Sequence, residues 1–258
     1  MSYVLIDETN LTDMGNAIRE KIGNKTKYYP SEMGDAIRAI PSGTVDSALT
    51  KAIIEGAKDR FDAVTALPEG ITRIRGDIFN DSNIRVTKLP DTVTVLEDRA
   101  FSECLDLHLT ELPSNLVEIG IACFGLSTAV GGGIRITSIP DSVTYIGSSA
   151  FLNCDDMTIT KLPESLEYLG ANAFAGCDNI YISEIPAGVK YLFEGCLRTN
   201  RSSVVTFKGT PMSIASDAFR ERVGNVGVTE IRVPWAEGEV PRAPWGATNA
   251  TITYNYKG

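Results

Sequence analysis

Five cysteines, one histidine and a set of evenly spaced tyrosines are the side chains of this 258-residue chain best suited to chemistry. Thiols and an imidazole could serve a nucleophilic or metal centre, but either needs partners at set spacings. Cys104, Cys154, Cys177 and Cys196 each follow a phenylalanine by three residues, and Cys123 directly precedes one. Those intervals lack the Cys-x-x-Cys spacing of structural zinc sites, so no metal is expected. An odd cysteine count rules out a complete disulfide framework. Two states stay open for the thiols. They are small buried hydrophobes, or Cys154 and Cys177 form an occasional bridge, because adjacent repeats bring Cα atoms into range. The lone His108 excludes a His-rich metal site and makes Ser-His-Asp catalysis remote. No nucleophile–base pair, paired-carboxylate motif or nucleotide fingerprint stands out. The chain is read as a non-enzyme with no catalytic residue and no cofactor.

Binding chemistry has better candidates. Arg73, Val95, Glu118, Tyr145, Tyr168 and Tyr191 each stand five residues after a proline, which puts three tyrosines in successive copies of a repeat. Stacked, they form an aromatic strip with a hydroxyl rim, suited to an interface or to sugar rings. A ladder that only buttresses the framework fits the same spacing. Arg85, His108, Arg135, Thr158 and Tyr181 form a second outward column. Its variability within one chain leaves it free for recognition, or for solvated filler. Beside it runs a near-uniform column, Thr87, Thr110, Thr137, Thr160 and Ser183, expected to stabilise neighbouring strands.

The elements that hold these columns come from the repeat. Leu/Ile-Pro recurs at Pro68, Pro90, Pro113, Pro140, Pro163 and Pro186, at intervals of 22, 23, 27, 23 and 23 residues. Phe79, Phe101, Phe124, Phe151 and Phe174 follow at an offset of eleven. Phe193, and Pro211 with Phe219, read as shortened copies. Apolar pairs six and four residues before each proline, such as Leu107/Leu109 and Ile180/Ile182, alternate like short β-strands with one buried face. Apolar residues three and six after it form a second ridge, with proline at the bend. One unit cannot bury its apolar side alone, so stacked units share a core. About seven coils at roughly 4.8 Å make a sheet on the order of 30 Å wide. The segment "STAVGGGIR" (residues 127–135) accounts for the long interval and reads as a projecting loop.

The strings "LPDTVTVLEDRAFSEC" (89–104), "IPDSVTYIGSSAFLNC" (139–154) and "LPESLEYLGANAFAGC" (162–177) resemble the BspA-like leucine-rich repeat of bacterial surface antigens. The resemblance implies a leucine-rich-repeat-like solenoid over residues 62–220 and no single function. Ahead of it, "LTDMGNAIREKI" (11–22) is echoed by "PSEMGDAIRAI" (30–40). Met14/Ile18 and Met33/Ile37 give each of two short helices an apolar stripe, marginal alone and so expected to dock or oligomerise. The expected organisation is a paired-helix segment at 1–43, a helical lead-in at 44–61, the solenoid at 62–220 and a β-rich cap at 221–258. The paired helices, and "IRVPWAEGEVPRAPWGATNATITYN" (231–255), resemble the ends of bacteriophage tail proteins. Trp235 and Trp245 equally fit a plain cover for the last coil.

Charge narrows the partners. Against 33 Asp+Glu stand 24 Lys+Arg, a net −9 with pI near 4.8, which disfavours nucleic acid and anionic membranes. No run of 18 apolar residues and no signal peptide is evident, so membrane insertion is not expected. The resemblances together imply a virion tail protein, made in the host cytoplasm. Its partners would be other tail proteins and a host surface polysaccharide or protein, and a homo-oligomer, taken as a trimer, is expected. A bacterial cell-surface adhesin and a purely structural tail component are the alternatives.

Overall fold

The computed structural model describes residues 66–67, 69–128, 133–220 and 227–257. The paired-helix segment with Met14, Ile18, Met33 and Ile37, the lead-in at 44–61, and residues 129–132 of the glycine-rich loop lie outside the described residues. Within them the chain repeats one short unit, and the reason begins at the proline. The carbonyls of Pro90, Pro113, Pro140, Pro163 and Pro186 each accept the N–H three residues on, at 3.0–3.2 Å. This turn starts the coil and presents the next residues to the preceding one. There two-residue strands form: β1 (Arg73–Ile74), β2 (Val95–Leu96), β3 (Glu118–Ile119), β4 (Tyr145–Ile146) and β5 (Tyr168–Leu169). Next in chain order are β6 (Glu184–Ile185), β7 (Tyr191–Leu192), β8 (Val204–Phe207) and β9 (Ser213–Ile214). Strands β1–β5, β7 and β9 make a seven-stranded parallel sheet, so the solenoid has about seven turns.

The strands therefore lie five and six residues after the proline, and not at the pairs before it. Ile84/Val86, Leu107/Leu109, Ile134/Ile136, Met157/Ile159 and Ile180/Ile182 are buried with the expected alternation. Their coils share single bonds, such as Arg135 N–H to Leu109 C=O at 2.7 Å and Tyr181 N–H to Ile159 C=O at 2.8 Å. Alternation reports which face is buried; it does not report whether consecutive amides of two coils come into register. On this side a ladder forms toward the C-terminal end, where β6, β8, β10 (Glu230–Arg232) and β11 (Thr251–Thr253) pair in parallel.

The opposite corner is built from left-handed residues. Asp77, Arg99, Ala122, Ser149 and Asn172 hold φ of 50–59° at one station, and Asp81, Glu103 and Asn153 repeat this four residues later. The conformation is costly for a residue with a Cβ, but it turns alternate N–H groups toward the next coil. Asp77, Phe79 and Asp81 donate to Asp98, Ala100 and Ser102, and Ser149, Phe151 and Asn153 donate to Ala171, Ala173 and Ala175. Inside this corner the phenylalanines stack, with centroids 5.2–5.6 Å apart from Phe79 to Phe174. The long interval does not interrupt them: Phe124 and Phe151 are 5.6 Å apart.

At the C-terminal end the pattern closes on aromatic rings. Phe207 meets Trp235 edge-on at 5.2 Å, and Trp235 lies 6.2 Å from Trp245. Trp245 is fully buried, its indole N–H donates to Pro241 C=O at 2.8 Å, and its own carbonyl accepts Phe219 N–H at 2.9 Å. Both tryptophans do cover the last coil.

Candidate recognition surface

The strand register sets the tyrosine column. Arg73, Val95, Glu118, Tyr145, Tyr168, Tyr191 and Ser213 are direct partners in successive strands. Their side chains alternate outward while Ile74 to Ile214 point into the core. Tyr145 and Tyr168 stack at 4.6 Å with planes 18° apart, so each covers a face of the other. Tyr168 and Tyr191 are instead 6.5 Å apart and inclined by 53°. Burial raises the Tyr145 phenol above its ordinary pKa, with the Tyr168, Asp98 and Glu118 neighbours adding to it. The strip is thus a stack at one end and a splayed group at the other.

What splays it is Phe193, which does not occupy the phenylalanine station of a shortened copy. That station, eleven residues after Pro186, is filled by buried Leu197, whose N–H donates to Ala218 as the phenylalanines donate elsewhere. Phe193 lies outside, 36% exposed, with its ring 4.8 Å from Tyr168 and 6.2 Å from Tyr191. Beyond it Met212 is 73% exposed next to Ser213. Aligning Phe193 by residue type hides its exposed position. Counting from the proline would have found it.

The same slip moves Cys196. It stands ten residues after its proline with Cys123, Ala100, Ala150 and Ala173, and only Cys104, Cys154 and Cys177 share the station after the phenylalanine. All five cysteines are free and buried, with no Cys154–Cys177 bridge. The Cys104, Cys154 and Cys177 thiols donate to the carbonyls of Phe79, Phe124 and Phe151 in the preceding coil, at 2.8, 3.2 and 2.8 Å. Among the described residues no group of three His, Cys, Asp or Glu side chains could hold a metal ion.

Arg85, His108, Arg135, Thr158 and Tyr181 face outward as expected. Two of them are engaged by the framework: Arg85 pairs with Asp106 at 3.3 Å and Arg135 with Asp156 at 3.2 Å, each reaching the following coil. His108 Nδ1 lies 2.6 Å from the Asp106 carbonyl. The threonine column is exposed too, but none of its hydroxyls bonds to the next. Hydroxyls that do bind neighbouring coils include those of Thr92, Thr94 and Ser142, which donate to the carbonyls of Ile71, Thr72 and Leu116. No described helix is long and apolar enough to cross a membrane.

A sequence model of the BspA type leucine rich repeat region matches the chain in six copies, over residues 61–130 and 133–234. Two solved structures are similar to it. One, a leucine-rich repeat protein from Bacteroides ovatus, is 20% identical with a TM-score of 0.44, over 73% of this chain and 54% of that one. The other, a leucine rich cell surface protein from Faecalibacterium prausnitzii, is 22% identical with a TM-score of 0.35, over 74% and 59%. The chain thus spans little more than half the length of either protein. No curated protein sequence matches it.

Proposed function

Because the chain belongs to the family built on BspA-type leucine-rich repeats, we propose that it is a non-enzymatic recognition protein working at a bacterial surface, in the manner of an adhesin. The observation that carries this reading is the aromatic run at Tyr145, Tyr168, Tyr191 and Phe193. Its three tyrosines occupy a column that holds arginine, valine and glutamate in earlier coils, so the framework does not require them. Repeats of this type, by the resemblance of their strings, belong to bacterial surface antigens. A virion tail protein is the second reading, favoured by the sequences of residues 11–40 and 231–255 alone. In either setting the solenoid meets a bacterial envelope or its target, each contact is weak, and many copies on one surface strengthen it.

The test is saturable binding of fluorescently labelled protein to intact cells. Replacing Tyr145, Tyr168 and Tyr191 together with alanine should abolish binding with the fold retained by circular dichroism. Undiminished binding by a folded triple variant rejects the aromatic surface as the contact. An antibody to the chain should label cell envelopes; labelling of virion tails instead selects the second reading.

A further inference from the structure

Phe193 stands at a station held by Arg75 and Glu97 in the first two coils and by glycine in the three coils before it. Seven residues after the proline, three successive coils carry Gly120, Gly147 and Gly170. A Cβ on any of them would lie 2.4–2.6 Å from backbone atoms of a preceding coil, a distance no side chain tolerates. In the next coil the same station is Phe193, and its N–H still donates to the preceding coil, to Leu169 C=O at 3.1 Å. The core does not need the ring: Leu192, Cys196 and Leu197 fill the interior stations of that coil. A large apolar side chain therefore stands at this station outside the core and partly in water. Such a side chain adds apolar surface without adding to the core.

We propose that Tyr168, Tyr191 and Phe193 form a facet that binds an uncharged sugar unit of a surface polysaccharide, with Phe193 as the residue that sets specificity. The inference rests on the recognition role proposed above and narrows it to one end of the strip and one class of ligand. Three features carry it. The rings are inclined to one another by 38–53°, which leaves faces open, whereas the Tyr145–Tyr168 stack closes them. An open aromatic face takes the C–H side of a pyranose, while phenol hydroxyls and a carboxylate take its hydroxyls. Glu194, exposed beside Phe193, supplies that carboxylate, and together with the net charge of −9 it disfavours an anionic polymer. Three rings are also far fewer than the about 20–30 residues per side of a stable protein interface.

The test uses the full chain and its Phe193→Gly variant, which restores the residue of three other coils. Dextran, a β-glucan and a galactan serve as uncharged probes, and a poly(glycerol phosphate) teichoic acid as the anionic one. The expected result is binding to an uncharged glycan that falls at least ten-fold in Phe193→Gly, with an unchanged melting temperature. Phe193→Leu keeps apolar bulk without the ring and should weaken binding likewise, which covers a failure of the glycine variant to fold. Wild-type affinity in both variants overturns the facet, while persisting cell binding keeps the recognition role. Preference for teichoic acid, or loss of cell binding after protease treatment of the cells, overturns the ligand class. A wild-type protein that binds no cells rejects the recognition role itself, and the facet with it.

Discussion

The thiols of Cys104, Cys154 and Cys177 show how a side chain of high intrinsic reactivity is made inert by its place. Burial pushes Cys104 up to about 11, and raises Cys123, Cys154, Cys177 and Cys196 well above the ordinary thiol range. The thiolate is the nucleophile, so at pH 8 iodoacetamide should modify none of the five in the native protein and all five in urea. Intact-mass spectrometry counts the adducts, and native labelling of even one contradicts the packing described. The sign of the pH effect follows from the same shift. An unfolded cysteine loses its proton near pH 8.5, while the folded thiols keep theirs, so stability falls as pH rises from about 9 toward 11. Burial of the column was legible from its recurrence three residues after phenylalanine. Membership was not, because Phe193 imitates the landmark. Residue type locates a station only while the coils keep one length, and here the distance from the proline is the sounder ruler.

Elements of two residues hold this sheet together, and such short strands cannot be read from alternation. The strongest period-two signals, at pairs such as Leu107/Leu109, mark buried but mostly unladdered chain, and the real strands sit where one inward residue follows one outward residue. No pattern of length two is distinguishable from chance, so the apolar ridge was visible and its hydrogen bonding was not. The tyrosine column survived this error, since register depends on the repeat length alone. The glycine that follows β3, β4 and β5 is the stronger constraint. Gly147→Ala would place a methyl 2.6 Å from the Gly120 carbonyl carbon, and prying two coils apart should cost about 1–3 kcal/mol. A urea midpoint equal to wild type would show that the coils can slide.

Across the whole molecule stability comes from continuity: each coil's phenylalanine, strand and cysteine stations meet the same stations above and below. Exposed inter-coil ion pairs such as Arg99–Asp77 and Lys190–Glu167 decorate that stack and are screened by water and salt. Its weak point is the last layer. Trp245→Ala should cost about 3–5 kcal/mol and bare the end of the core, so sedimentation should show concentration-dependent association. A variant that stays monomeric and melts as wild type would mean that the last coil needs no cover. The repeating architecture was legible because it is written several times over. The closure by Trp235 and Trp245 is written once, so sequence could only leave it open. The left-handed corner adds a directional property. From Asp77 to Phe219 its inter-coil amides donate the same way, toward the C-terminal end. Their dipoles therefore add along the axis, as they do in a helix. The corner is an electrostatic vector, positive toward Trp245 and negative toward the first coil. The two ends are not interchangeable: one calls for acceptors, which the Trp245 carbonyl supplies, and the other for donors.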